Sequence, residues 1–141
     1  MAALPSLPYF SCTEDEHLRK VPVISIIDDD ESVREATRCL VRSLGYVAAV
    51  FSSAEEFLGS ERVNETACLI TDIQMPGLNG LELHDRLIGA GRRMPVIFIT
   101  AFPEEKVRTR ALAAGACGFL KKPFDEQSLI GCLDRALAPG A

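Results

Sequence analysis

Cys68-Leu69-Ile70-Thr71-Asp72-Ile73-Gln74-Met75-Pro76-Gly77-Leu78-Asn79-Gly80 is a short apolar run that meets one carboxylate, Asp72, and breaks straight into a Pro/Gly/Asn turn. Apolar residues at successive positions predict a strand buried on both faces, and the turn residues predict where it stops. Asp72 then sits at a strand's carboxyl end. In open parallel α/β sheets, ligands bind in the crevice beyond those ends. Taken by itself, an aspartate capping a loop is the commoner explanation of such a residue, so the rest of the chain has to decide.

Upstream, Val21 to Ile27 reads as a first buried strand running into Asp28-Asp29-Asp30-Glu31. A helical pattern follows at once, with Val33, Ala36, Thr37, Leu40, Val41 and Leu44 on one stripe, so Asp30 is its cap and Gly45 its C′ residue. Asp28 and Asp29 are not needed for capping and are left for a site. Tyr46 to Phe51 is a second strand, and Ser53-Ala54-Glu55-Glu56 has the form of a capping box opening a short helix through about Ser60.

Downstream, Asn79 with Glu82 starts another helix, whose stripe is Leu83, Leu87 and Ile88 and whose His84 is expected to face water. Pro95 to Thr100 is a fourth apolar strand. Pro103-Glu104-Glu105 begins a helix with proline at its first position and acids in its first turn, ended by Gly115. Cys117 to Leu120 is a brief fifth strand before Lys121-Lys122-Pro123-Phe124. Asp125 caps a last helix, with Leu129, Ile130, Leu133, Ala136 and Leu137 toward the core. Five strands alternating with five helices predict a parallel α/β sheet covered on both faces by right-handed crossovers.

The composition narrows the function classes. A chain of 141 residues, 48% hydrophobic, is long enough for one domain with a real core. A net charge of −5 offers no basic surface to nucleic acid or an acidic membrane. No apolar run reaches the length of a membrane span, and no basic residue precedes the apolar start as a secretory signal requires. The five cysteines include no C-x-x-C pair, which argues against a disulfide framework or a zinc site and for reduced, mostly core thiols in the cytoplasm. Residues 1 to 20 show no sustained period and read as a flexible leader, with His17 meeting water. Residues 21 to 138 form the domain, and 139 to 141 a tail.

Asp28 and Asp29, Asp72, Thr100 and Lys122 thus fall at or just past the ends of strands one, three, four and five. Two unit charges about 4 Å apart interact by roughly 4 kcal/mol at an effective dielectric of 20, so clustered carboxylates need a proton or cations. Lys122 supplies one positive charge. A hard divalent ion is the natural second, and all-oxygen ligands favour Mg²⁺, with Mn²⁺ the alternative, over zinc or copper. A carboxylate in such a site can attack phosphorus to form an aspartyl phosphate. A metal, an ammonium and a hydroxyl can then stabilise the phosphoryl oxygens.

Asp28-Asp29, the Asp72 to Gly80 run, Thr100-Ala101 and Lys122-Pro123-Phe124 together resemble the receiver domain of two-component response regulators. The likeness covers roughly Val21 to Ala138. Ser53-Ala54-Glu55-Glu56-Phe57-Leu58 and Gly115-Ala116 most resemble the FixJ-like subgroup. The resemblance implies a flavodoxin-like sheet of order 2-1-3-4-5, with Asp72 taking phosphate from a histidine kinase or phosphotransfer protein. It implies that Asp29, Asp72 and the Gln74 backbone carbonyl hold Mg²⁺, with Asp28 acting mainly through an outer-shell water. Lys122, which directly precedes Pro123 where the family usually has a cis peptide, pairs with the phosphoryl group. Thr100, with Ala101 beside it, moves to bond the phosphoryl oxygens, and Phe119 turns into the vacated space. Gln74 and Phe102 flank the path of an attacking water. A downstream effector or output domain reads the changed face, and phosphorylation-dependent homodimerisation is left open. The chain stops after Ala141 without the subgroup's DNA-binding module, as a stand-alone receiver or one cut from a longer regulator. The leader is unusual for the family.

Two other readings compete. Ile26-Ile27-Asp28-Asp29-Asp30-Glu31-Ser32 fits the nucleophile motif of haloacid dehalogenase-like phosphatases, with Asp28 attacking and Asp30 as acid/base, but it leaves Asp72 idle. A flavin-phosphate module would need a Ser/Thr/Gly loop after strand one, where this chain carries acids that repel phosphate.

Overall fold

The computed structural model describes residues 21–138. The leader with His17 and Cys12, and the last three residues, lie outside that range. The strands are β1 (Val23–Ile27), β2 (Val47–Phe51), β3 (Thr66–Asp72), β4 (Val96–Thr100) and β5 (Gly118–Lys121). The helices are α1 (Glu31–Ser43), α2 (Ala54–Leu58), α3 (Gly80–Gly89), α4 (Glu105–Ala113) and α5 (Glu126–Ala136), with a 3₁₀ turn at Glu61–Asn64. All pairings are parallel in the order β2-β1-β3-β4-β5, as expected.

Side chains alternate across this sheet, and each face owns a core. Ile27, Leu69, Val96 and Phe98 pack with Phe57, Leu83, Leu87 and Ala111 beneath α2, α3 and α4. Ile24, Ile26, Cys68, Ile70, Ile97 and Ile99 pack with Val41, Leu129 and Leu133 beneath α1 and α5. Burying each large apolar side chain contributes about 1.5–3 kcal/mol. The three central strands are therefore mainly apolar, because both of their faces are covered, and the buried Ser25 of β1 is paired with Thr66 at 2.7 Å. Edge strand β2 instead leaves Val47 exposed.

The caps are where helix starts were read from sequence, with two corrections. Asp30 accepts from Ser32 N and Val33 N, and Asn79 with Glu82 forms a complete capping box. Ser53 caps α2, but Glu56 Oε1 accepts from Ser52 N at 2.7 Å, not from Ser53 N, so that box is half made. Pro103 precedes the cap of α4, which is Glu104, because the helix starts at Glu105. The turn of helix expected up to Ser60 is a separate 3₁₀ segment, since α2 ends at Leu58.

Several faces differ from expectation. His84 is buried, edge-on to Phe98 at 5.5 Å between centroids, and Ile88 is exposed instead. Helix α3 has rotated its stripe to Gly80, Leu81, Leu83, His84 and Leu87. Ala36 and Leu44 are exposed on α1, Ile130 is half-buried on α5, and Cys132 takes a core place there. Of the described cysteines all are free; Cys68 and Cys132 are buried, Cys117 is half-buried and Cys39 is exposed.

Candidate functional site

Strand register brings the predicted groups to one edge. Ile27 lies opposite Thr71, Asp72 opposite Ile99, and Thr100 opposite Lys121. Asp28 and Asp72 are consequently level, Thr100 lies one residue further along and Lys122 two, so the four end neighbouring strands at the same edge, as the sequence indicated. Lys122 N donates to Thr100 O at 2.8 Å, which extends the β4–β5 pairing to the lysine. The Lys122–Pro123 peptide is cis.

Asp28 and Thr100 are fully buried and Asp72 nearly so, whereas Asp29 stands exposed at the rim. Lys122 Nζ lies 2.9 Å from Asp28 Oδ2 and 3.0 Å from Asp72 Oδ2, bridging both carboxylates. Burial pushes the Asp72 carboxyl above its ordinary value; the Lys122 hydrogen bond opposes this and the Asp28 charge reinforces it. Burial pulls Lys122 down, but its bonds and charge contacts with Asp28 and Asp72 win, and its pKa is raised.

The acidic loops are held by groups outside the predicted set. Asp28 Oδ1 accepts from Asp30 N, and Arg34 reaches back from α1 to donate to Asp28 O at 2.7 Å. Asp72 Oδ1 accepts from Gln74 N at 3.3 Å. Glu55 Oε2 accepts from Leu78 N at 2.9 Å and so tethers the loop that follows Asp72 to α2. That bond, before any other cause, lowers the Glu55 pKa. No local spacing announced Arg34 or Glu55, because each meets its partner through loop geometry.

A cation fits here. Oxygens of Asp28, Asp29 and Asp72 all lie within 4.8 Å of one another. Asp28 Oδ2 is wholly buried and meets only the Lys122 ammonium, at 2.9 Å, which leaves a second lone pair for a metal. Three carboxylates around one ammonium still carry excess negative charge, and an all-oxygen donor set suits a hard ion.

Of the remaining predicted residues, Ala101 and Phe102 are exposed on the loop after β4, with Phe102 at 67%. Phe119 is half-buried opposite Phe98 and, with Arg108, Leu112 and Cys117, lines a cavity of about 410 Å³ along β5. Thr100 Oγ1 donates to Gln74 Oε1 at 2.5 Å and accepts from Phe102 N at 3.0 Å, a link not foreseen. Asp30 Oδ1 caps α1, a structural duty that accounts for this aspartate without the acid/base role of a dehalogenase-like phosphatase.

Among the described residues no helix is long and apolar enough to cross a membrane. A family profile described as the response regulator receiver domain matches residues 24–134. Response regulator protein TodT of Pseudomonas putida is 40% identical over 118 residues, 84% of this chain and 52% of the relative. Transcriptional regulatory protein FixJ of Azorhizobium caulinodans is 36% identical, over 84% of this chain and 56% of its own. The solved response regulator StyR superposes with a TM-score of 0.77 at 40% identity, covering 83% of this chain and 59% of that one. The FixJ-N structure gives a TM-score of 0.74 at 30% identity, covering 83% and 94%. The chain spans about half the length of the curated relatives it matches. Fold, strand-end chemistry and likeness agree along nearly the whole described length, and the chain belongs to the family of response regulator receiver domains.

Proposed function

We propose that Asp72 is the phosphoryl acceptor of this receiver domain and that the surrounding groups stabilise and report its modification. As a receiver domain, the chain is a signalling module of a two-component system. The observation that carries the assignment of Asp72 is its setting. It is a nearly buried carboxylate at a strand end, bonded to Lys122 Nζ and to Gln74 N, within reach of two more aspartates.

In the reaction, a carboxylate oxygen of Asp72 attacks phosphorus on a kinase's phosphohistidine. The P–O bond forms, the P–N bond breaks, and the leaving imidazole takes up a proton. Lys122, already on Asp72, pairs with the phosphoryl oxygens as charge moves outward. Asp28, Asp29, Asp72 and the Gln74 carbonyl would hold Mg²⁺ or Mn²⁺, which supplies charge neutralisation for those oxygens when bound. Lys122 Nζ, 3.0 Å from Asp72 Oδ2, pairs with the carboxylate form of Asp72, which is the form that attacks.

Phosphorylation adds about 1.5 to 2 negative charges and three acceptor oxygens. Thr100 donates to one of them, Phe119 shifts toward the space Thr100 leaves, and the α4–β5–α5 surface changes shape for an effector, an output domain or a second copy. Gln74 and Phe102 screen the approach of water to the acyl phosphate. The setting of such phosphotransfer is the cytoplasm, and residues 21–138 act as its domain. Incubation with acetyl phosphate and Mg²⁺ tests the assignment: the label should appear in the wild type and in Asp30→Asn, and vanish in Asp72→Asn. Loss in Asp30→Asn with retention in Asp72→Asn would favour the phosphatase motif instead.

A further inference from the structure

Thr100 is fully buried, and its hydroxyl has one proton to give. Phe102 N donates to Thr100 Oγ1 at 3.0 Å, so the oxygen is already an acceptor, and the proton goes to Gln74 Oε1. A phosphoryl oxygen on Asp72 can only accept. The hydroxyl therefore cannot serve Gln74 and a phosphoryl group together, and one bond must break before the other forms.

We propose that Gln74 is a positioning residue that latches the Thr100 hydroxyl away from Asp72 until the aspartate is modified. This rests on the reading of Asp72 as acceptor and Thr100 as reporter. The same residue is tied to both: Gln74 N donates to Asp72 Oδ1, while Gln74 Oε1 receives the Thr100 proton. Modification of the Asp72 carboxylate weakens the backbone tie, because an ester-like oxygen accepts less strongly than a carboxylate. It also offers the hydroxyl an anionic acceptor stronger than an amide. Both changes open the latch, and neither requires movement of a strand. Gln74 itself is exposed, so its side chain is free to swing into solvent and find replacement hydrogen bonds there.

A latch of this kind opposes the phosphorylated conformation, and its removal favours that conformation. A neutral hydrogen bond is worth a roughly fivefold ratio in an equilibrium of this sort. Gln74→Leu keeps the side chain's bulk and deletes the acceptor at a surface position where folding is not at stake.

The experiment uses the full chain with Mg²⁺ and beryllofluoride, a phosphoryl analogue that cannot hydrolyse, titrated by fluorine NMR. Gln74→Leu should bind beryllofluoride about fivefold more tightly than wild type. In an isosteric Thr100→Val background, Gln74→Leu should change nothing, since there is no proton left to latch. A screen for attacking water alone would alter phosphate lifetime but not this titration. Equal affinity in wild type and Gln74→Leu overturns the latch, as does a Gln74→Leu effect that persists with Thr100→Val. Wild type that fails to bind beryllofluoride at all overturns the reading of the site, and the latch with it.

Discussion

Lys122→Met is the perturbation that most severely tests the electrostatics of the crevice. Lys122 Nζ lies 2.9 Å from Asp28 Oδ2 and 3.0 Å from Asp72 Oδ2, and its side chain is only 14% exposed. At an effective dielectric of 20, an ammonium about 3 Å from one carboxylate gains roughly 5.5 kcal/mol before desolvation. Burial of the ammonium offsets much of that, and truncating one partner of a buried pair typically costs 3–5 kcal/mol. The site opens to solvent, so the low end applies: about 3 kcal/mol lost in the metal-free protein. The assay is urea unfolding in chelator and again in excess Mg²⁺. The variant should be less stable in chelator and recover more than wild type does with Mg²⁺, because the lysine no longer competes for the same oxygens. The pH dependence has a definite sign. The folded pKa of Lys122 is raised above 10.5, so its contribution is full below 10.5 and lost as pH rises through the folded value. Wild type should therefore approach the variant only in strong alkali. Labelling from acetyl phosphate should slow by on the order of 10²-fold, as for loss of a group that stabilises developing negative charge. A Lys122→Met protein as stable as wild type in chelator, with an equal response to Mg²⁺, would refute the reasoning.

Other outcomes follow from the same geometry. Gly80→Ala would drive a methyl against Asp72 O and within 3.1 Å of Ile73 Cα, backbone that cannot swing aside. It should cost about 3 kcal/mol in urea unfolding and slow labelling of Asp72 by displacing its strand end. His84 is buried with its Nδ1 unpaired, and burial, opposed by Asp85, lowers its pKa below 6.5. Its contribution is full above pH 6.5 and lost as pH falls through the folded value, so unfolding midpoints should drop on acidification, and His84→Leu should flatten that slope. Phe102→Gly should shorten the phosphate lifetime several-fold in single-turnover decay, since Phe102 stands bulky and exposed beside Thr100; an unchanged lifetime would remove its screening role.

The sheet and the crevice are legible for one reason: strands buried on both faces are mainly apolar, and each ends in a polar residue that has no capping duty. Asp28 against Asp30 illustrates this, the first turned to the lysine and the second to the amides of α1. His84 departs from expectation because its place on the helical period outweighs its polarity. It stands four residues after Gly80 and three before Leu87, on the buried stripe, where a T-shaped contact with Phe98 accepts a neutral ring. Glu55 and Arg34 carry no signal in the sequence for a different reason. Their partners are backbone atoms, Leu78 N and Asp28 O, brought near by loops whose path no periodicity encodes. The same holds for Gln74 and Thr100, separated by 26 residues and joined only when β3 and β4 pair.

The most direct test is to locate the acyl phosphate chemically. Protein treated with acetyl phosphate and Mg²⁺ is reduced with borohydride, which turns a phosphorylated aspartate into homoserine, and peptides are then sequenced by mass spectrometry. Homoserine at position 72 and at no other aspartate is the expected result. Homoserine at position 28, or none anywhere in protein that has taken up phosphate, would contradict the account.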